Sequence, residues 1–198
     1  PPRSTLLPYQ TRLRSYVIDY IDHRPAITDK VDTKSQWVID GLGEASVKYD
    51  GTACAVIDGK FYTRFDNKKG KTPPKNSIPC QPSADHVTGH WPHWTPVLAS
   101  EPAHKHFITA YTNTVVDTSI DQTFEAVGPH FNGNKQKLDY DQLVVHGADI
   151  VDELSYTPIT KEILRDYLAN HQIEGIVFLN KETGQRAKIR KKDFKLKW

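Results

Sequence analysis

Methionine is absent from the 198-residue chain, and cysteine occurs only as Cys54 and Cys80. Two thiols, one in an expected strand and one in a proline-rich loop, do not make a disulfide framework, so both are expected to be reduced. No apolar run approaches the roughly 20 residues a membrane-spanning helix needs. The opening stretch Pro1-Pro2-Arg3-Ser4-Thr5-Leu6-Leu7-Pro8 has too little apolar sequence for a secretory signal. An intracellular, cytoplasmic setting with no membrane partner is therefore expected, and the missing initiator methionine reads as a trimmed start. Strong charge of one sign is missing too: 26 Lys and Arg against 24 Asp and Glu leave a formal net charge of +2. Such a balance says little about partners until its distribution along the chain is read. With 37% hydrophobic residues and a mean hydropathy of −0.59, the length suits one soluble domain with a real core.

What the chain does contain is mostly strand. Arg12–Ile21 is rich in Tyr, Val and Ile and reads as extended, and residues 37–42 as a short extended piece ending in a glycine turn. Thr52–Ile57 and Lys60–Phe65 flank Asp58-Gly59, a strong two-residue hairpin signal. Residues 107–112, 122–127, 142–147, 173–178 and 186–190 read as further strands, with turns at Gly128-Pro129, Asn132-Gly133-Asn134 and Glu182-Thr183-Gly184. One clear helix is expected over Thr157–Ala169. Thr157 or Thr160 can cap it, and Ile163, Leu164, Tyr167 and Leu168 form its apolar stripe.

The chemistry centres on Val47-Lys48-Tyr49-Asp50-Gly51-Thr52. On a strand, Lys48 and Asp50 would share a face and send an ammonium and a carboxylate into one pocket. A neutral lysine amine attacks an electrophilic phosphorus, and a cationic, partly dry pocket favours that form. The plain alternative is a surface Lys-Asp pair beside a turn glycine. Other residues stand out in the same way. Glu125 interrupts an apolar strand, where a carboxylate is costly unless paired or solvated. Glu174 adjoins a glycine at the next strand, and Arg186, Lys188 and Arg190 alternate so that three cations face one way. Arg64 lies on the return strand of the hairpin. Lys68, Lys69, Lys71 and Lys75 crowd a loop without periodicity, which is either solvated or an electrostatic grip on a polyphosphate or a nucleic acid. Cys80, His86, His90 and His93 could supply a zinc site, but the paired spacing of structural sites is missing. Trp91 and Trp94 either anchor that segment or stack on nucleic-acid bases. His146 reads as a strand-end histidine with a satisfied hydrogen bond.

In this order the residues resemble the conserved elements of the ATP-dependent covalent nucleotidyltransferases, the superfamily of DNA ligases, RNA ligases and mRNA capping enzymes. Lys48-Tyr-Asp-Gly51 is similar to the nucleotidyl-lysine motif, Phe124-Glu-Ala-Val-Gly128 to the third motif, Glu174-Gly-Ile-Val177 to the fourth and Lys188-Ile-Arg190 to the fifth. The likeness spans residues 44–190. Tyr49–Thr52, Gly89–Val97, Asn132–Asn134, His146–Ala148 and Ile173–Val177 resemble, more particularly, the 5′–3′ RNA ligase family first recognised in vertebrates, which has viral relatives. The chain departs from the generic pattern at Arg190, where many ligases carry a second lysine; the charge is kept but the phosphate geometry need not be.

The resemblance implies an α+β fold: a single nucleotidyltransferase (adenylation) domain over 1–198, with antiparallel β-sheets around an ATP pocket. Residues 1–43 would be an N-terminal elaboration and 77–106 a Pro/His/Trp-rich insertion, with no OB-fold domain after Trp198. It implies an ATP-dependent RNA ligase, cellular or virus-encoded, that joins 5′-phosphate and 3′-hydroxyl ends through a lysine-adenylate on Lys48. Lys188 and Arg190 would hold the α-phosphate, Arg64 the ribose or phosphates, and Glu125 the ribose or a metal-bound water. Asp50, Glu125 and Glu174 would surround a hydrated Mg²⁺ or Mn²⁺, with adenine near Val47 and Glu44. RNA ends would be gripped by Lys68, Lys69, Lys71, Trp91 and Trp94 on a monomer. The alternatives are a DNA-joining ligase, a capping-type guanylyltransferase, or a nucleotide- or RNA-binding module without activity.

Overall fold

The computed structural model describes residues 13–198 apart from 22–23 and 87; the proline-rich opening stretch and Arg12 lie outside the described residues. Among these, the first half of the chain gives β1 (Leu13–Arg14), β2 (Tyr16–Ile21), β3 (Arg24–Val31), α1 (Gln36–Ile39), β4 (Glu44–Lys48), β5 (Thr52–Ile57), β6 (Lys60–Asn67), β7 (Ile78–Pro79) and β8 (Trp91–Pro96). The second half gives α2 (Lys105–Thr112), β9 (Gln122–Val127), β10 (Gln142–Val145), α3 (Lys161–Asn170), β11 (Gly175–Leu179) and β12 (Arg186–Arg190). The fold is mixed α and β with antiparallel sheets and few helices. No helix among the described residues is long and apolar enough to cross a membrane.

The chain divides into two compact units. The first is built on Asp50–His146 and carries a six-stranded antiparallel sheet in the order β10-β9-β5-β6-β8-β7. Its hairpin β5–β6 turns on Asp58 (φ 48°) and Gly59 (φ 71°), both left-handed, as a two-residue turn matched to strand twist requires. One face of the sheet buries Cys54, Val56, Phe124, Ala126 and Leu143 beneath Ala110 of α2 and Phe131. The other buries Ala53, Ala55, Ile57, Tyr62 and Trp94 with Cys80.

The second unit is built from the described residues up to Tyr49 together with Gly147–Trp198. Its four-stranded sheet runs β1-β12-β11-β4, antiparallel except for the parallel β1–β12 pair, and β2–β3 form a separate two-stranded ribbon. Ala45, Ile176, Phe178, Ala187 and Ile189 are buried from one face of that sheet against Leu164 and Leu168 of α3. Each large side chain buried in this way contributes about 1.5–3 kcal/mol. The cap of α3 is Thr160, whose hydroxyl accepts from the Ile163 backbone N–H at 3.3 Å. Ile163 itself is exposed, so the stripe is narrower than the sequence suggests.

Three local expectations are corrected. Residues 107–112 form α2, not a strand: Phe107, Ala110 and Tyr111 fall on one helical face and pack on the β9–β10 side of the sheet, and Pro102 starts the 3₁₀ turn Pro102–His104 that leads in. Residues 37–42 are not extended, because Asp32 caps the preceding 3₁₀ turn by accepting from Lys34 N–H and the chain continues into α1, burying Trp37 and Val38. Lys48 and Asp50 do not share a strand face either. Lys48 is the last residue of β4, and Asp50 lies between strands.

Candidate functional site

In the second unit, the register of β4, β11 and β12 puts several charged side chains on one face. Lys48 stands opposite Gly175, which stands opposite Arg190; Ser46, Val177 and Lys188 form the next row, and Glu44, Leu179 and Arg186 the one after. Side chains in the same row of paired strands project to the same face, and alternate residues to opposite faces. Along β12 the alternation is complete, with Ala187 and Ile189 buried and Arg186, Lys188 and Arg190 half-buried. The face that is not sealed by α3 therefore carries Lys48, Lys188, Arg190 and Arg186. A β-sheet spacing of about 4.8 Å puts the Cα atoms of Lys48 and Arg190 about 10 Å apart, with Gly175 between them.

Glu174, immediately before β11, turns its carboxylate to Lys48, and the two form an ion pair. The Lys48 Nζ also donates to the Tyr49 carbonyl at 3.2 Å. Both side chains of the pair are only about one-sixth exposed (16% and 14%), a partly dry setting in which their attraction is less screened than at an open surface. Arg190 is fixed by Asp193, whose carboxylate accepts from Nε at 3.2 Å and Nη2 at 3.0 Å and also from the Arg190 backbone N–H at 2.9 Å. This fork uses two of the five guanidinium donors and locks the plane of the group. Gly175 makes the row possible: a Cβ there would lie 2.3 Å from the Ile189 carbonyl oxygen. At the far end of the face, Glu44 is paired with Lys181 at 2.6 Å. The backbone N–H of Val47 donates to the Asp149 carbonyl at 2.9 Å, and the Tyr49 hydroxyl donates to Asp149 Oδ2 at 2.6 Å. Burial first, and then Asp149, push the Tyr49 phenol well above its ordinary range.

The first unit gathers the remaining candidates. Glu125 sits in β9 opposite Ala53 of β5 and Val144 of β10. Its Oε1 accepts from the Gly51 N–H at 3.1 Å, and its Oε2 lies 2.9 Å from Nε2 of His146. His146 Nδ1 is 3.0 Å from the Thr123 hydroxyl. A carboxylate only accepts, so His146 carries a proton on Nε2. The strand glutamate is thus held at both oxygens, which explains how the sheet tolerates it, and His146 is its partner and not merely a strand-end cap. Asp50 Oδ1 accepts from Asn132 Nδ2 at 2.9 Å, and the same amide donates to the Gly51 carbonyl at 2.7 Å, so the Asn132-Gly133-Asn134 turn supports the segment after Lys48. Gly51 has no room for a side chain, since a Cβ would lie 2.1 Å from the Ala126 carbonyl oxygen. Arg64 pairs with Asp66, Nε to Oδ1 at 2.9 Å.

Lys68, Lys69, Lys71 and Lys75 are exposed on the loop after β6, and the Asn67 amide donates to the Lys71 carbonyl at 3.0 Å. Trp94 is 4% exposed and belongs to the core, which leaves its ring no face for a base; Trp91 is half-buried and donates from Nε1 to the Gln81 carbonyl at 2.9 Å. Cys80, His86, His90 and His93 are not assembled as metal ligands. Among the described residues, the one group of three or more ligand-type side chains is His106, His130 and Asp141. Sequence reading missed Asp193 and Asp149. Asp193 had a signal: a carboxylate three residues after a strand-end arginine, at the start of a helical turn, is capping-box spacing. Asp149 had none.

No protein-family model matches the chain, and no curated protein matches it.

Proposed function

We propose that the protein is an ATP-dependent RNA ligase that works through a covalent nucleotide on Lys48. The observation that carries this reading is the pairing of Lys48 with Glu174 on a half-open sheet face that also bears Lys188 and Arg190, while the opposite face is sealed by apolar side chains. Phosphoryl transfer asks for in-line placement and neutralised charge more than for acid–base strength. A lysine amine flanked by two cations in register meets both requirements.

In the first step Lys48 Nζ attacks the α-phosphorus of ATP. The N–P bond forms as the bond from that phosphorus to the bridging oxygen breaks, and pyrophosphate leaves. Glu174, in contact with the ammonium, is placed to take the proton that the amine must lose. Lys188 and Arg190 neutralise the α-phosphate oxygens, and the Asp193 fork pre-orients the guanidinium so that little freedom is lost on binding. The AMP then passes to an RNA 5′-phosphate, and a 3′-hydroxyl displaces it to seal the strand. Glu174 is the carboxylate beside Lys48 on this face, and together with the phosphates of ATP it would hold a hard ion such as Mg²⁺ or Mn²⁺. When bound, such an ion neutralises phosphate charge. The exposed lysines at 68, 69, 71 and 75 supply a sequence-independent hold on the RNA backbone.

The test is incubation with α-labelled ATP and a divalent cation without RNA. A protein-bound label that is acid-labile and alkali-stable, and lost in Lys48→Ala and Lys48→Arg, is expected. Absence of label with ATP, or label that survives Lys48→Arg, refutes the reading. RNA and DNA carrying 5′-phosphate and 3′-hydroxyl ends then separate RNA joining from DNA joining, and labelled GTP separates both from capping.

A further inference from the structure

Three elements of the first unit deliver two imidazoles and a carboxylate to one point. Asp141 immediately precedes β10, whose Gln142 pairs with Val127 at the end of β9. Gly128 (φ 134°) follows, and a Cβ on it would lie 2.6 Å from Asp141 Cα and 2.7 Å from Asp141 Oδ1. Only glycine lets the aspartate come that close. The Asp141 carboxylate is 2% exposed; its Oδ1 accepts from the His130 backbone N–H at 3.1 Å, and its backbone carbonyl accepts from Asn113 Nδ2 at 2.9 Å. His130 follows two residues after Gly128, and His106 comes from the first turn of α2. That helix is seated beside the same segment through Phe107, whose ring meets Phe131 edge-on at 5.2 Å.

The three side chains converge, but only one of the two imidazoles hydrogen-bonds the carboxylate. His130 Nδ1 is 2.7 Å from Asp141 Oδ2, a hydrogen bond, whereas His106 Nδ1 lies 3.7 Å from the same oxygen, too far for one. The two rings are stacked at 3.7 Å with an interplanar angle of 14°. The arrangement brings two ring nitrogens and a buried carboxylate oxygen to one place, the donor types a divalent transition-metal ion takes. In a tetrahedral site with bonds of about 2.0–2.1 Å, ligand atoms stand about 3.3 Å apart, and the ligand atoms of this group all lie within 4.8 Å of one another.

We propose that His106, His130 and Asp141 form a three-ligand site for a divalent transition-metal ion, with water in the fourth position. Two imidazole nitrogens and one carboxylate oxygen select Zn²⁺ over the hard Mg²⁺, which prefers an all-oxygen shell. Parallel rings cannot both aim their Nδ1 lone pairs at one ion, so binding turns the imidazoles out of their stack. The torsion that does this is soft, and His106 and His130 are 39% and 52% exposed, which gives the rings room to turn. The site is distinct from the Lys48 chemistry and does not depend on it.

The test uses the untagged full chain, dialysed against a chelator and titrated with Zn²⁺ alone and, separately, Co²⁺ alone. One equivalent of Zn²⁺ is expected to bind, and one of Co²⁺ to give the visible absorption of a four-coordinate site. His106→Ala and His130→Ala should each weaken binding at least about tenfold. Both histidines are partly exposed, so these variants are expected to keep the far-UV circular dichroism of the parent. Zn²⁺ should raise the parent's Tm and leave that of the double variant unchanged. Failure of the parent to bind an equivalent of Zn²⁺, or one-to-one binding that survives in the double variant, overturns the proposal. Asp141→Asn serves as a third variant; because its side chain is buried, its metal affinity counts only if its spectrum matches the parent's.

Discussion

Replacing Glu174 by Gln removes the charge opposite Lys48 and keeps the shape, so its cost can be worked out from the sheet. Exposed ion pairs contribute about 0–1 kcal/mol, and removing one partner of a fully buried pair costs about 3–5 kcal/mol. With exposures of 16% and 14%, Lys48 and Glu174 fall between these limits, at about 2 kcal/mol. Glu174→Gln also leaves Lys48 facing the row partner Arg190. At about 10 Å and an effective dielectric of about 20 their repulsion is about 1.7 kcal/mol, and one Debye length of salt reduces it to about 0.6 kcal/mol. Asp193 on Arg190 lowers it further. Lys48→Met strands the carboxylate but relieves the cationic face, so it should cost less than Glu174→Gln. The double variant should cost less than the sum, with a coupling energy of about 2 kcal/mol measured by urea unfolding. The cost of Glu174→Gln, and not that of Lys48→Met, should shrink between about 0.05 and 0.5 M salt, a range over which the Debye length falls severalfold. Additive single variants, within about 0.5 kcal/mol, would show that the pair is not held in solution and would remove the geometric basis for proposing Lys48 as a nucleophile.

Gly175→Ala should destabilise the chain by about 1–3 kcal/mol or more and abolish the nucleotide transfer proposed for Lys48, because its Cβ meets the Ile189 carbonyl at 2.3 Å in the row that aligns Lys48 with Arg190; a variant of parental stability in urea would contradict this. Stability should decline on the alkaline side. Burial pushes the Cys80 thiol up to about 12 from 9.0, and burial followed by Glu162 pushes the Tyr16 phenol up to about 12 from 10.0. The unfolded chain therefore loses these protons first, so the stabilisation is complete below about pH 9 and lost as pH rises toward 12, at roughly 1.4 kcal/mol per pH unit for each group once engaged. Denaturation midpoints that stay flat from pH 9 to 11 would refute it. Trp94→Ala should cost about 3–5 kcal/mol as a core truncation, while Trp91→Ala should cost clearly less; calorimetry that ranks them the other way would mean Trp94 is not a core anchor.

How much of this was legible beforehand depended on whether a signal was local. The β5–β6 hairpin could be read because Asp58-Gly59 states its own backbone conformation, and the cationic face because Arg186-Ala-Lys-Ile-Arg190 carries the period of two that a half-buried strand imposes. The segment 107–112 could not, since Phe-Ile-Thr-Ala-Tyr-Thr satisfies both a strand alternation and a helical i, i+4 face over six residues; the choice was made by the apolar surface of the sheet onto which Ala110 packs. Charge partners divide in the same way. Glu125 announced a need by its position among apolar neighbours, but nothing in the sequence named His146, 21 residues on, as the group that meets it. His106, His130 and Asp141 are harder still, separated by 24 and 11 residues and brought together by the close approach at Gly128. Sequence states which groups need partners; the register of the sheet and a few glycine contacts decide which partners they find, as Gly175 does in the row that holds Lys48 and Arg190.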